Sequence, residues 1–315
     1  MRLTTASGLG ILLALATTAC GGGGGGTDAS TPSDTGSGST LPPPTQDLGT
    51  TPADFACVGT ATAPVGGELI PVTMTLLSFG QDDRAADTRV CFCPDNVLSP
   101  EAIAGTGCGV CQDATSDVDG ELSVMARAGG WYAYRVFRHG VPGGTSRTTF
   151  LDSAQVNETA PMTAGGTVDG NAVSALTANT IPAAELIART PGTTTIAGRV
   201  QDCDGPIRGA IVRAFHADGT RIPEGVNVGD PHYRFFNGTE MPDANATFTA
   251  GDGLYIVANI VPASVGEVIR VETWANVDGV DAQIGCEAIS IFPDGISIVN
   301  PGPTRSDYPA GHPCE

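Results

Sequence analysis

Thr195 to Phe215 reads TIAGRVQDCDGPIRGAIVRAF, and a little later Thr249 to Val257 reads TAGDGLYIV. Ile196, Gly198 and Val200 alternate with polar or small neighbours, which is the period of a strand with one buried face. Asp204, Gly205 and Pro206 break the run with turn chemistry, and Ile211 to Phe215 (IVRAF) then resumes an apolar run. The same pattern recurs outward in both directions. C-terminal to it come Leu254 to Ala258, Val268 to Trp274 and Ala288 to Phe292, parted by Asp252-Gly253 and Asp294-Gly295. N-terminal to it lie Val72, Met74 and Leu76, then Thr88, Val90 and Phe92, then Glu121 to Ala126 and Trp131 to Phe137. Gly66-Gly67 and Asp119-Gly120 punctuate that earlier set. No segment longer than about ten residues carries a 3.6-residue apolar period. Many short strands with Gly and Asp turns predict an all-β chain of two tandem β-sandwiches of immunoglobulin-like or transthyretin-like type.

Thr195 to Phe215 with Thr249 to Val257 also resembles the carboxypeptidase regulatory-like family of small β-sandwiches, related in shape to transthyretin. The matching positions are Gly198, Val200, Asp202, Gly205, Pro206, Ile207, Gly209, Ala210, Val212, Gly253 and Tyr255. The resemblance implies an accessory, spacer or binding module. The first strand set shares the turn into a strand at Thr115 to Val124 but has Asp82 to Ala86 where the opening motif would stand.

The N-terminus is of a different kind. Gly8 to Ala16 (GLGILLALA) is apolar, follows one charge at Arg2, and leads through Thr17, Thr18 and Ala19 into Cys20. A stretch this short reads as an export signal rather than a membrane-spanning helix. The small residues ending at a cysteine resemble the lipobox of bacterial lipoproteins, which implies that Cys20 becomes the mature N-terminus and carries acyl chains, palmitate among them. Gly21 to Gly26 is unbroken glycine, and Thr27 to Thr51 is rich in Ser, Thr, Pro and Gly. Such composition buries too little to offset its ordering entropy, so a disordered tether is expected. The domain reading is therefore signal peptide 1–19, lipidated cysteine and linker 20–53, first sandwich 54–160, linker 161–192, second sandwich 193–300 and tail 301–315. Within the middle linker, Thr180 to Arg189 (TIPAAELIAR) predicts one short helix with Pro182 near its first turn.

Eight further cysteines follow: Cys57, Cys91, Cys93, Cys108, Cys111, Cys203, Cys286 and Cys314. An even number in an exported chain indicates disulfides. Cys91 and Cys93 share one face of a strand, about 6.5–7 Å apart, too far for a direct bond. They are expected to pair with Cys108 and Cys111, and Cys203 with Cys286, leaving Cys57 and Cys314. The competing reading of CxC followed by CxxC is a zinc site of four thiolates, which an oxidising compartment disfavours.

Chemistry is otherwise sparse. All 15 basic residues are Arg, so lysine-based chemistry is excluded, and a formal charge of −19 opposes nucleic-acid binding. His139, His216, His232 and His312 form no ligand motif, and no nucleophile elbow occurs. Asp117-x-Asp119-Gly120 and Asp202-x-Asp204-Gly205 look like the start of calcium loops, but Asp-Gly also simply suits hairpin turns. Trp131, Tyr132 and Tyr134 could form a ligand face if exposed, with the tyrosines on one side of the strand and Trp131 on the other. The functional expectation is a non-catalytic lipoprotein, with no cofactor and no metal, anchored at the bacterial outer membrane and contacting an envelope protein or glycan. The alternatives are a carbohydrate- or peptide-binding accessory of a secreted degradative system, and a metal-binding protein or metalloenzyme.

Overall fold

The computed structural model describes residues 39–46, 51–79, 83–137, 150–184, 187–237 and 242–315. Cys20, its flanking leader and His139 lie outside the described residues. In chain order the first half contains β1 (Thr45–Gln46), β2 (Leu69–Ser78), β3 (Arg89–Cys93), helix α1 (Pro100–Ala104), β4 (Gln112–Thr115) and β5 (Glu121–Arg127). It continues with β6 (Trp131–Val136), β7 (Ser153–Thr159), β8 (Thr167–Ala172) and helix α2 (Ala175–Ala184). The second half holds β9 (Thr194–Arg199), β10 (Ile207–Arg208), β11 (Ile211–Phe215), β12 (His232–Phe236) and β13 (Pro242–Asp243). The last strands are β14 (Leu254–Ile260), β15 (Glu267–Val277), β16 (Val280–Ile291) and β17 (Ile296–Ile298). Among the described residues the protein is all-β apart from two short helices.

A nine-stranded sheet, ordered β13-β12-β14-β9-β17-β7-β6-β3-β4, runs through both halves. Two three-stranded sheets, β5-β2-β8 and β11-β15-β16, make the outer layers. The first core lies between β2, β5 and β8 on one side and β3 and β6 on the other, and contains Val72, Met74, Leu76, Leu122, Val124, Phe92 and Val136. The second unites Ile196, Val212, Tyr255, Val257, Ile269, Val271, Ile289 and Ile291 from β9, β11, β14, β15 and β16. Each layer shows the alternation that its sequence carries; β5, for example, buries Leu122, Val124 and Ala126 and exposes the residues between.

The two sandwiches meet through β17. After β16 the chain turns at Asp294, held at φ 57°, and Gly295 donates back to the Phe292 carbonyl. Ile296, Ser297 and Ile298 then pair in parallel with Ser153–Gln155 of β7 and with Thr195–Ala197 of β9. Three residues, buried on both sides, close a continuous sheet. Neither half's local pattern signals this joint, because it needs partners about 100 residues or more away along the chain.

Three details differ from the sequence reading. The stretch 161–192, expected to be linker, contains β8, which pairs in parallel with β2 from Thr73 to Ser78. The helix starts earlier, at Ala175, because the Ser174 hydroxyl accepts from the Thr177 N–H and caps it; Pro182 thus falls in its last turn. Of the expected tether, read as extending to residue 53, the described residues 39–46 and 51–53 are bound to the body. Ser39 N–H reaches the Gly279 carbonyl at 2.9 Å, the Ser39 and Thr40 hydroxyls bond Asp281, and β1 pairs with β10.

Candidate functional site

Period two on β6 decides the fate of the aromatic strand. Tyr132 and Tyr134 point into the first core at 2 % and 1 % exposure, where Phe92 stacks on Tyr132 with ring centroids 4.8 Å apart. The Tyr134 hydroxyl donates to Gln155 Oε1 at 2.6 Å and accepts the Asn171 N–H at 2.6 Å. Burial pushes both phenols above their ordinary range. The two tyrosines therefore do not form the open face that their exposure would have offered. The core takes them because a chain that is 5 % aromatic has few other large side chains to fill it.

Trp131, on the opposite side of β6, is half-buried and covered by the tail. The Arg305 guanidinium lies 4.7 Å from the Trp131 ring centre and 4.5 Å from that of Tyr308, and His312 stacks on Tyr308 at 4.7 Å. Beside this ladder sits Glu287 of β16. The register sets Glu287 opposite Val271 and in line with Ile289, on the face that forms the second core. Its carboxylate meets Arg305 at 3.7 Å and accepts from the Asn157 side-chain amide of β7. The Asn157 backbone N–H in turn donates to Asn96 Oδ1 at 2.8 Å. Burial raises the Glu287 pKa to about 7, with Arg305 and Asn157 opposing the rise and Asp307 adding to it. Burial likewise raises Tyr308 and lowers His312, the latter helped by Arg305.

This junction gathers β6, β7, β16 and the tail, and it joins both sandwiches. A carboxyl with a pKa near neutrality can exchange a proton at ordinary pH. Sequence reading missed Glu287, Asn157, Asn96, Arg305 and Tyr308. The available signal was a Glu standing where β16 otherwise alternates isoleucines inward.

The eight body cysteines form four disulfides: Cys91–Cys108, Cys93–Cys111, Cys57–Cys203 and Cys286–Cys314. The first two agree with the strand argument, and the four sulfurs are bonded in pairs rather than arranged as thiolates for zinc. The expected Cys203–Cys286 pair is corrected. Residues 54–57 lie against the Asp202 turn, so Cys57 is the near neighbour of Cys203: Cys203 N–H bonds the Asp54 carbonyl at 3.0 Å. Cys286 is buried on β16 beneath the returning tail, which brings Cys314 to it.

The acidic turns have structural duties. Asp117 Oδ1 accepts the N–H groups of Asp119 and Glu121, and Gly120 takes φ 73°. Asp202, 4 % exposed, accepts from Asp204, Gly205, Asp54 and the Gln46 amide, which pins the N-terminal segment to the second sandwich. His216 bonds Glu267 at 2.9 Å, and His232 bonds the Asn227 carbonyl. Among the described residues, no three His, Cys, Asp or Glu side chains are grouped to hold a metal ion. An apolar recess of about 20 Å³, lined by Phe79, Val173, Ala178, Ala197, Ile256 and Ile298, is of the size of one water rather than of a ligand.

No protein-family model matches the chain, and no curated protein does. Structural similarity was found to the shaft pilin SpaA from Lactobacillus rhamnosus GG, at 14 % identity over 77 % of this chain and 99 % of that one, with a TM-score of 0.22. GBS52, the minor pilin of Streptococcus agalactiae, gives 10 % identity over 76 % and 98 %, with a TM-score of 0.22. The Bacillus anthracis TIE protein gives 9 % identity and a TM-score of 0.21. It is covered over 34 % of its length by 75 % of this chain. Superpositions this loose carry no argument, and the fold stands on the strand pairing above.

Proposed function

We propose that this chain is a non-catalytic lipoprotein of the bacterial cell envelope, a tethered structural or binding module that works by contact. The observation that carries the reading is the single hydrogen-bonded sheet through both sandwiches, with all eight body cysteines in disulfides. Such a body is built for rigidity in an oxidising compartment. The lipobox-like approach to Cys20 and the glycine-rich stretch after it supply the anchor and the leash, with the outer membrane as the location. The second sandwich is proposed as a carboxypeptidase regulatory-like module on the motif from Gly198 to Tyr255. A glycan-binding role would need an open aromatic platform, and of the three residues considered for it only Trp131 reaches the surface, beneath Arg305.

The test is expression of the full chain in a diderm bacterium with labelled palmitate, beside Cys20→Ala. Label in the wild type that is lost in the variant, with membrane fractionation lost alongside, is the expected result. Equal labelling of both, or none in either, overturns the anchor. Turnover of esters, peptides or glycosides by purified protein overturns the non-catalytic reading.

A further inference from the structure

The tail, residues 300–315, is not part of either sheet, yet it crosses the seam between the sandwiches. It is held by a few backbone bonds: Thr304 N–H to the Ile284 carbonyl at 2.9 Å, Gly59 N–H to the Thr304 carbonyl at 2.8 Å, and Ser306 N–H to the Ala61 carbonyl at 2.9 Å. The Tyr308 hydroxyl adds a bond to the Cys286 carbonyl at 2.7 Å, and Cys314 is stapled to Cys286. Ser306, Asp307 and Pro309 to Gly311 are exposed. Closing the tail inserts Arg305 between Trp131 and Tyr308 and seals Glu287 from water. The closed tail is thus coupled to the charge of one buried carboxyl.

We propose that residues 300–315 are a pH-responsive strap, closed over Trp131 and Asn157 when Glu287 is protonated and loosened when it ionises.

The groups around Glu287 set the direction. From the strap come Arg305 at 3.7 Å, Asp307, whose carboxylate lies 3.8 Å from the same guanidinium, and Tyr308, a neutral phenol. His312 lies behind Tyr308. From β7 comes the neutral amide of Asn157, while its neighbour Glu158 bonds back to Gln155. From β15 comes Val271, with Arg270 and Glu272 paired to each other at 3.1 Å on alternate positions. From the first sandwich comes Asn96, and the adjacent Asp95 is engaged by Arg127. One cation thus serves two carboxylates, at 3.7 Å and 3.8 Å, both longer than a direct hydrogen bond. Burial therefore outweighs pairing, and the closed state favours the protonated acid.

Sign and window follow from linkage. With Glu287 near 7 when covered and near 4.5 when open, the preference for closure is complete below pH 4.5 and is lost as pH rises through 7. Between pH 5 and pH 8 the closing constant falls by roughly one to two orders of magnitude.

The experiment is hydrogen exchange read by mass spectrometry on the mature chain, comparing peptides from 300–315 in wild type and Glu287→Gln at pH 5 and pH 8. Comparing the two proteins at each pH cancels the intrinsic pH dependence of exchange. The expected result is rates within about fivefold of each other at pH 5 and at least tenfold faster exchange in wild type at pH 8. Equal rates at both pH values, or faster exchange in Glu287→Gln at pH 8, overturn the proposal. Asp307→Asn provides an independent variant at an exposed position. It keeps the acceptor for the Ala63 N–H and removes a charge that raises Glu287, so its loosening with pH is slower than in wild type. An Asp307→Asn profile identical to wild type also counts against the strap. Neither outcome touches the lipid anchor.

Discussion

Gly198→Ala is the sharpest perturbation that the fold allows. Gly198 sits on β9 where β17 continues into Val299, and a Cβ placed there would stand 1.7 Å from the Val299 carbonyl oxygen and 2.7 Å from its carbon. Those atoms are backbone, so no rotamer change relieves the clash. Reaching ordinary contact requires the strands to part by about 1.5 Å. That movement breaks the Val299 N–H bond to Ala197 at 2.9 Å and the Tyr255 hydroxyl bond to the Val299 carbonyl at 2.8 Å, both in the interior. Overpacking costs about 1–3 kcal/mol, and each buried bond left unmade adds about 1–3 kcal/mol. The expected loss is therefore on the order of 3–9 kcal/mol, a large share of a typical domain's stability. Urea unfolding followed by tryptophan fluorescence and far-ultraviolet circular dichroism measures it. Gly107→Ala is the control, since no atom lies within 4 Å of the added carbon, and it should change stability by less than about 1 kcal/mol. A Gly198→Ala protein within about 1 kcal/mol of wild type would refute the close crossing.

Replacing Cys57 and Cys203 by Ala, which opens a link between residues 146 apart, is expected to cost about 5 kcal/mol from chain entropy. The Cys91 and Cys108 pair spans 17 and should cost about 3 kcal/mol; midpoints in the reverse order would contradict the pairing. Gln112→Ala removes a side-chain amide that bonds both the Met125 carbonyl at 2.6 Å and the Met125 N–H at 2.7 Å, thereby covering the edge of β5. It should cost about 1 kcal/mol and raise aggregation in light scattering, because an edge strand is left bare. Tyr134→Phe keeps the volume but removes one donor to Gln155 Oε1 and strands the Asn171 N–H. A loss of about 1–2 kcal/mol in the same denaturation assay is expected.

Much of this architecture was legible one strand at a time. Alternation at Val72, Met74 and Leu76, at Leu122 and Val124, and at Ile196 and Val200 each marks a buried face, and the structure buries those faces. Asp-Gly pairs located turns because few other residues tolerate positive φ. The strand geometry of Cys91 and Cys93 was enough to send each to Cys108 or Cys111. What failed did so for a common reason. The β8 strand, TVDGNA, is polar and short, and it is a strand because β2 offers it a parallel edge. The helix begins where Ser174 can cap it, a preference too local and too weak to outrank the more helix-like TIPAAELIAR.

The sequence by itself determined that the chain is layered β structure, that its cysteines pair, that lysine chemistry is closed to it, and that Tyr132 and Tyr134 share a face. These are properties of spacing and composition, and local sterics enforce them. Only the tertiary structure decided that one sheet runs through both halves, that Cys57 meets Cys203 and Cys286 meets Cys314, and that Arg305 lies between two rings above Glu287. Each of those depends on segments far apart in the chain arriving side by side. The free energy that brings them there is the burial of whole faces, which no window of neighbouring residues contains.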